Sequence, residues 1–433
     1  MQPPTLSGGW PIIGHLPQFI KDKAQLFNRG YDELGDIFTV KVPHTMVVLS
    51  GPERHKWFYK ETDKGLNVEK AYEILKYALG EVLLTANEEQ YAKQRKFLHL
   101  ILNAEQNETY VKAMNIEVDA WLARLGDSGK MEIMEELQLV SQSVAGHAFA
   151  GANFREELGD AFWTAYSDIA DSLNMILPPS WPLPKYKRRD KARVKVREIL
   201  GRLCAQRSGK AEEYDDVISL LVNTKLKDGA FMSENEVADL WVGLMFAGHD
   251  TTARQSAWSV ILSLKHPEYL ARLQAEVDGL GDEITLSDLK KLPLTFQVID
   301  EVTRLKPSAD MLLRVATEDL KVGEFSIPAG SHVVVAAGCS HNMETHFKEP
   351  HLFDPDRFSR ERREGQRECI MGFGGGRRKC AGIHFAKYEM VIILAKLLKN
   401  YDLTLLTPKT VVTQALAGPP RPTATYISYQ RKP

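Results

Sequence analysis

The stretch Phe373-Gly-Gly-Gly-Arg-Arg-Lys-Cys380-Ala-Gly382 leads into an apolar helical pattern that runs from Ile383 to Leu398. Glycines let a loop approach a flat ligand closely, because they carry no side chain. A cysteine at the mouth of a helix has its thiolate stabilised by backbone N–H groups and by the positive end of the helix dipole. These are the properties that an iron-ligating sulfur requires.

Other functions are typical of parts of this stretch. An isolated cysteine is more often a small buried hydrophobe or a reactive thiol than a ligand, and only the residues around Cys380 favour a ligand. The glycines Gly374 to Gly376 resemble a phosphate loop, but no strand of a βαβ unit precedes them and no Gly-Lys-Ser/Thr follows. A cysteine hydrolase needs a partnered histidine, and His384 lies on the same helix as the cysteine, one turn away. A nucleotide site and a cysteine hydrolase are both disfavoured.

The longest predicted helix begins at the capping box Ser233-Glu-Asn-Glu236 and has no proline before Pro267. It is about 32 residues or roughly 48 Å long, at about 1.5 Å per residue. Its middle, Leu240 to Gly248, is apolar on every side, which predicts that this part of the helix is buried. The segment Ala247-Gly-His-Asp-Thr-Thr252 then brings glycine and β-branched residues that weaken a helix. This segment is either functional or a tight helix crossing at Gly248, with a threonine bonded back to a carbonyl.

The rest of the chain predicts one large, mainly α domain over residues 1–433 with a small β portion. Strand-like segments cover Ile37 to Leu49 and Arg314 to Val335. A second helix, Leu289 to Leu305, carries Glu301-Val-Thr-Arg304. By itself, an acid and a base at this spacing are typical of a surface ion pair.

The composition excludes several classes of protein. Of the 433 residues, 44% are hydrophobic and 26% charged, which is enough apolar surface for a large core. The 55 Lys and Arg nearly balance the 57 Asp and Glu, which argues against a nucleic-acid partner. Four cysteines with no C-x-x-C pair predict neither a disulfide framework nor a zinc site, and favour a cytoplasmic location. No apolar run reaches the roughly 20 residues of a membrane span.

Taken together, the motifs resemble those of the cytochrome P-450 family. Phe373, Gly376, Arg378, Cys380 and Gly382 fill the five fixed offsets of its cysteine loop. Glu301-Val-Thr-Arg304 matches its helical acid-base pair, and Arg357 in Phe353-Asp-Pro-Asp-Arg357-Phe358 matches the third member of its salt-bridged cluster. Ala247 to Thr252 matches its oxygen-activating segment. The resemblance covers nearly the whole chain. It implies the cytochrome P-450 fold, with the long central helix over a heme (iron protoporphyrin IX).

The resemblance implies roles in heme binding for the residues of the cysteine loop. Cys380 would be the thiolate ligand of the heme iron, and a thiolate favours O–O cleavage. Phe373 would pack beside the sulfur, and Gly382 would admit close approach of the next helix to the heme. The heme propionates would be reached by three arginines and a tyrosine, where the tyrosine replaces the tryptophan or histidine more common in the family: Arg378, Arg314, Arg95 and Tyr91.

The resemblance also implies a reductive reaction. Gly248 would make room for dioxygen in the helix groove, and Asp250 and Thr251 would act as an acid-alcohol pair that relays protons. One oxygen atom would enter a substrate C–H bond and the other would become water. Electrons would come from a separate ferredoxin or flavoprotein reductase. A basic cluster around the cysteine either steers this partner or belongs in part to an ordinary solvated loop: Arg362, Arg363, Arg367, Arg377 and Lys379.

The expected substrate is a bulky apolar molecule, such as a sterol, a terpenoid or another lipid-like compound. The segments Ile176–Leu183, Asp215–Leu221 and Lys227-Asp-Gly229 resemble sterol demethylases, although those usually carry His-Thr where this chain has Asp250-Thr251. The apolar segment and the basic residues up to Arg197 indicate either peripheral membrane contact or a solvated helix face. A heme-thiolate isomerase or peroxygenase and a non-catalytic heme sensor are the alternative functions, and the acid-alcohol pair argues against them.

Overall fold

Helices make up most of the structure, as the sequence predicts. The computed structural model describes residues 1–42, 44–173, 177–225, 229, 231–365, 368–413 and 420–433. Ile176, Lys227, Asp228 and Arg367, which belong to segments named above, lie outside these ranges. Within the ranges, the α-helices are α1 (Leu16–Leu34), α2 (Pro52–Glu61), α3 (Glu69–Leu79), α4 (Glu88–Ile101), α5 (Asn107–Leu125), α6 (Ile133–Ala150), α7 (Phe154–Ser172), α8 (Pro184–Arg207), α9 (Val217–Asn223), α10 (Glu234–Lys265), α11 (Pro267–Val277), α12 (Leu286–Leu289), α13 (Pro293–Leu305), α14 (Ala337–Ser340) and α15 (Ile383–Asn400), and short 3-10 helices cover Pro355–Phe358 and Gly376–Arg378.

The long helix α10 begins and ends where the sequence predicts. The Ser233 hydroxyl accepts a hydrogen bond from the Glu236 N–H at 3.3 Å, and the Glu236 carboxylate accepts one from the Ser233 N–H at 2.8 Å. The helix ends at Lys265, just before Pro267 begins α11. Most of its residues are buried, which confirms the prediction of a core helix.

The β portion is larger and more divided than predicted. The strands are β1 (Ile37–Lys41), β2 (Thr45–Leu49), β3 (Leu66–Asn67), β4 (Ser128–Glu132), β5 (Met311–Ala316), β6 (Leu320–Val322), β7 (Phe325–Ile327), β8 (His332–Ala336), β9 (Tyr401–Leu405), β10 (Val412–Thr413), β11 (Arg421–Pro422) and β12 (Tyr426–Arg431). The stretch predicted from Arg314 begins earlier and is divided by turns in which Gly323 and Gly330 have φ of 61° and 79°. The helix predicted from Leu289 begins only at Pro293, because α12 ends first and proline suits the first turn of a new helix.

The chain folds into two compact units, and each unit is assembled from separated segments. The first unit consists of Met1–Tyr72, Phe296–Cys380 and Val411–Thr423. The second consists of Glu73–Thr295, Ala381–Thr410 and Ala424–Pro433. One domain over residues 1–433 stays a prediction.

The first unit is built on a five-stranded sheet with the order β1-β2-β8-β5-β3, in which only β2 and β8 run parallel. Its apolar face packs with Phe58 of α2 and with Met371, just before the cysteine loop. The sheet therefore places three elements in one core: the end of α2, strand β5 and the beginning of the loop.

The second unit is a helical assembly with a small sheet of order β4-β12-β9. Helix α10 packs against α6, and α15 packs against α5, α10 and α11. Among the described residues, no helix combines the length and the apolar composition that crossing a membrane requires.

Candidate functional site

The cysteine loop is a tight turn within the first unit. The Cys380 N–H donates to the Phe373 carbonyl at 2.9 Å, and the Gly374 N–H donates to the Met371 carbonyl at 2.8 Å. Phe373 is half-buried, while Cys380 is exposed. The other three cysteines are buried, and burial raises the pKa of Cys204 to about 11 and of Cys339 to about 12. Cys380 is thus the accessible thiol among the four cysteines.

Two glycines of the loop are required by packing against α2. A Cβ on Gly375 would lie 2.4 Å from Cε2 of Tyr59, which is closer than real Cβ atoms come to a neighbour. Gly376 has φ of 60°, and a Cβ there would lie 2.9 Å from Cβ of Tyr59. The close approach that the glycines permit is therefore, in this unit, an approach to Tyr59.

Arg378 and Arg314 meet at the turn between α2 and β3. Arg378 donates from Nε and Nη2 to the two carboxylate oxygens of Asp63, each at 2.7 Å, and both side chains are buried. Arg314 donates from Nη1 to the Leu313 carbonyl at 2.7 Å and from Nε to the Thr62 hydroxyl at 3.4 Å. Adjacent residues of one turn, Thr62 and Asp63, thus bind both arginines.

The charge of this arrangement suits an anionic group. Two buried guanidinium groups lie at this turn, where Asp63 pairs with Arg378, and burial lowers the pKa of Arg314. The buried hydroxyl of Tyr59 has no hydrogen-bond partner among the described residues. A buried cation without a counter-ion is costly, so these donors are suited to carboxylates such as the heme propionates. Together with an accessible thiol, the residues of the first unit fit a heme.

The predicted acid-base cluster is a buried network rather than a surface ion pair. Glu301 accepts from Arg304 at 2.7 and 2.8 Å and from Nε of Arg357 at 3.1 Å, and all three side chains are fully buried. Arg304 also donates to the carbonyls of His341 and Pro350, at 2.9 and 2.7 Å. The network joins α13 to the segments that precede the cysteine loop.

Two buried histidines, which the sequence did not reveal, lie before the loop, and one of them, His341, joins the network to it. His341 contacts the Arg304 carbonyl through Nδ1 at 2.7 Å, and its Nε2 accepts from the Met371 N–H at 3.0 Å. His55 contacts the Glu368 carbonyl through Nδ1 at 2.7 Å and the Ser340 hydroxyl through Nε2 at 2.9 Å. Burial lowers the pKa of His341 to about 3 and that of His55 to about 4, so both rings are neutral near pH 7.

In the second unit, α10 exposes part of the predicted oxygen-activating segment. Ala247 and Thr251, one turn apart, are exposed although most of the helix is buried. The Thr251 hydroxyl donates to the Ala247 carbonyl at 2.6 Å. Asp250 pairs with Arg254 and accepts a hydrogen bond from Gln138 of α6 at 3.2 Å. The hydroxyl of Thr251 is therefore accessible on this surface, and the adjacent Asp250 carboxylate is fixed by Arg254 and Gln138.

The structure distinguishes the two explanations of Gly248. The threonine back-bond is present, but a Cβ on Gly248 would meet only Cε2 of Phe149 at 3.7 Å, an ordinary contact. A tight helix crossing is therefore not the reason for this glycine. Packing within the protein does not require a glycine at position 382 either. A Cβ on Gly382, the N-cap of α15, would meet only Cδ1 of Leu102 at 3.9 Å.

Tyr91 and Arg95 lie one turn apart on α4 and so share a face. Tyr91 is buried, and Arg95 is half-buried. The predicted site residues thus form two sets. Phe373, Arg378, Cys380 and Arg314 come together in the first unit, and the second unit holds Tyr91, Arg95, Gly248, Asp250, Thr251 and Gly382.

Comparison with known proteins identifies the family. The cytochrome P-450 family profile matches residues 3–423. The chain is 29% identical over 422 residues to a sterol 14-demethylase of Arabidopsis thaliana, covering 94% of this chain and 86% of the relative. It is 29% identical to a sterol 14alpha-demethylase of Mycolicibacterium vanbaalenii, covering 94% and 92%. It is 26% identical to the lanosterol 14-alpha demethylase of Bos taurus, covering 99% and 88%.

A solved structure agrees with the fold. A cyanobacterial cytochrome P-450 with bound retinoic acid superposes with a TM-score of 0.86 at 22% identity, covering 100% of this chain and 99% of the other. The chain belongs to the cytochrome P-450 family. It is accordingly a heme-dependent monooxygenase, and the predicted fold and cofactor are confirmed.

Proposed function

We propose that this monooxygenase hydroxylates a bulky apolar substrate of the sterol, terpenoid or lipid-like class, and that Cys380 would ligate the iron of its heme. The observation that carries the proposal is the similarity to sterol 14-demethylases over 94% of the chain. The accessible thiol of Cys380 and the buried guanidinium group of Arg378, two residues before it, support the choice of ligand.

Residues of the first unit would hold the heme from the side of the sulfur. Cys380 would ligate the iron, Phe373 would shield the sulfur, and Arg314 and Arg378 would bind propionate. In the second unit, Tyr91 and Arg95 are proposed as further propionate partners, and Gly382 as the position without a side chain beside the heme. When bound, the heme supplies the activation of dioxygen, which no protein side chain provides.

Asp250 and Thr251 are proposed to deliver protons. The Thr251 hydroxyl now donates to the Ala247 carbonyl, and rotation about its χ1 would direct the same proton outward from the helix. Arg254 and Gln138 hold the Asp250 carboxylate next to it. Once this carboxylate has taken up a proton from solvent, it can pass that proton on and so replace the one that the alcohol gives up. Gly248 leaves the adjoining helix surface without a side chain.

The same segment argues against sterol 14-demethylation as the particular reaction. Sterol demethylases usually carry His-Thr where this chain has Asp250-Thr251. We therefore extend from the relatives only the class of substrate, a large apolar molecule with few polar groups, and not the position that is oxidised.

Electrons are proposed to come from a separate ferredoxin or flavoprotein reductase that docks by charge. Arg363 and Arg377 are exposed in the first unit and would meet an acidic partner. Arg362 is exposed as well, and it pairs with Asp354 at 2.7 Å and also with Glu364. Lys379 is half-buried, and Arg367 lies outside the described residues.

Peripheral membrane contact is proposed for the beginning of α8 and the segment before it. Trp181 is 50% exposed, and the helix exposes Lys187, Arg188, Lys191 and Lys195. An apolar indole beside a basic helix face suits a membrane surface with anionic lipids. We further propose a cytoplasmic location, which rests on the four cysteines that form no disulfide.

The substrate class is tested by optical titration of the purified ferric holoenzyme against sterols, terpenoids, fatty acids and small aromatics. A high-spin shift with the large apolar compounds, followed by reductase-dependent product, is expected. A shift with small aromatics only would refute the proposed class. Binding without any product would indicate a sensor.

Two variants test the residue assignments. Cys380→Ser should lose the thiolate-type carbon monoxide spectrum, and Cys204→Ser, at a buried thiol, should keep it. Thr251→Ala should divert reductase electrons to peroxide and water. Efficient turnover with hydrogen peroxide that Thr251→Ala leaves unchanged would instead indicate a peroxygenase.

A further inference from the structure

The turn between α2 and β3 contains a residue with a left-handed backbone and a buried carboxylate, Asp63, and neither property is needed merely to connect the two elements. Asp63 adopts φ of 64°, in the left-handed region that L residues other than asparagine and aspartate seldom enter. Its N–H donates to the Leu66 carbonyl at 2.8 Å, which closes the turn. A left-handed turn residue whose carboxylate is also buried in an ion pair is a reason to look for function.

Both carboxylate oxygens of Asp63 bind Arg378, a residue of the cysteine loop. The carboxylate receives two parallel hydrogen bonds from Arg378, the bidentate geometry that fixes both the position and the plane of a guanidinium group. Both side chains are shielded, with 7% and 4% exposed, so solvent screens the pair little. The neighbouring Thr62 binds Arg314.

We infer that Asp63 is a positioning residue that holds Arg378 of the cysteine loop and sets the balance of charge beside the heme. The inference rests on the proposed ligation by Cys380, which lies two residues after Arg378 in the loop. With Asp63 ionised, the two arginines and this carboxylate carry one net positive charge. Without it they carry two, and the added positive charge favours the ferrous over the ferric heme.

The charge is removed with little change of shape by Asp63→Asn, because asparagine also tolerates the left-handed conformation. The matched control is Glu61→Gln, which removes the same charge at the end of α2. Glu61 forms no ion pair with Arg314 or Arg378 among the described residues. Asp63→Glu retains the charge. Arg378→Gln and the double variant complete a double-mutant cycle.

The measurement is the midpoint potential of the holoenzyme by spectroelectrochemistry. Asp63→Asn should raise it, Arg378→Gln should lower it, and the double variant should return close to the wild-type value. Glu61→Gln should leave it unchanged, and Asp63→Glu should stay nearer to wild type than Asp63→Asn. An unchanged potential in Asp63→Asn, or an equal rise in Glu61→Gln, would overturn the inference.

If Asp63→Asn does not retain heme, the heme occupancy of the variants in the double-mutant cycle tests the inference instead. The double variant should then retain about as much heme as Arg378→Gln, because Asp63 acts on the heme through Arg378. A double variant that is worse than both would contradict the pairing role. A wild-type holoenzyme without a thiolate-type carbon monoxide band would instead refute ligation by Cys380, which is a separate failure.

Discussion

Replacing Glu301 by glutamine tests the buried network most directly, since this change keeps the volume of the side chain and removes its charge. In the native structure, Glu301 accepts from Arg304, from Arg357 and from the Asp354 N–H at 2.9 Å. Arg357 would keep a second carboxylate, Glu364, at 2.6 Å. Arg304 would keep only carbonyl acceptors, so the variant buries a guanidinium group without a counter-ion.

Removing one partner of a buried ion pair costs about 3–5 kcal/mol in free energy of unfolding. The three side chains are fully buried, so solvent offers no compensation, and a value in this range is expected. Proteins have only about 5–15 kcal/mol of total stability, so the loss is a large fraction of it. Because the network reaches Met371 through His341, the cysteine loop should loosen as well.

The assay is heme occupancy of the purified protein, together with the urea midpoint followed by the Soret band and by circular dichroism. Glu301→Gln should give little loaded protein and a much lower midpoint. The matched control is Glu108→Gln, which breaks an exposed ion pair with Lys112 on α5 and should cost no more than about 0.5 kcal/mol. Normal occupancy and an unchanged midpoint in Glu301→Gln would refute this reasoning.

Three further predictions concern buried or crowded positions. Burial raises the pKa of Glu389, on α15, from 4.5 to about 8, against a smaller opposing effect of the Ser141 hydroxyl. The unfolded chain therefore loses this proton more readily, so the carboxyl destabilises the fold increasingly as the pH rises from 4.5 to 8. Glu389→Gln should raise the urea midpoint more at pH 8 than at pH 5, and an equal gain at both would contradict this. Burial lowers the pKa of His341 from 6.5 to about 3, so its contribution to stability is complete above pH 6.5 and is lost as the pH falls toward 3. His341→Gln should cost about 1–3 kcal/mol at pH 7.5, through the lost hydrogen bonds, and should flatten the acid branch of the stability curve; an unaltered acid branch would argue against the role of this ring. Gly375→Ala should destabilise even the heme-free protein by about 1–3 kcal/mol, because its Cβ would overlap Tyr59. Gly382→Ala should leave the stability of the heme-free protein unchanged and affect only heme binding. Calorimetry of the heme-free and heme-loaded forms compares Gly382→Ala with Gly375→Ala.

The parts of the structure that the sequence predicts well are those with local signals. The capping box at Ser233 and the proline at 267 define α10, and an apolar run defines α15 from Ile383. The cysteine loop is recognisable because its five residues keep fixed spacing. In each case, the residues that determine the element lie within it or at its ends.

The residues that support the loop could not be predicted, because their partners are distant along the chain. Asp63 and Arg378 are 315 positions apart, and His55 and Ser340 are 285 apart. An aspartate in a short turn is ordinary in sequence. Its left-handed backbone and its buried partner are visible only in three dimensions. The Glu301 pair was ambiguous for the same reason, since spacing alone does not distinguish a surface pair from a buried one.

The discontinuous make-up of the first unit has a consequence for biosynthesis. Its first segment leaves the ribosome early, but the segment that carries β5, the buried network and Cys380 follows only after residues 73–295. At about 5–20 residues per second, this is a delay of roughly 10–45 s. During that time the nascent β1–β2 hairpin has an apolar face and an open sheet edge, since β8 has not yet been made. The core of the first unit can therefore be completed only after residues 296–380 have been made, and until then its strand edge is open to pairing with other chains.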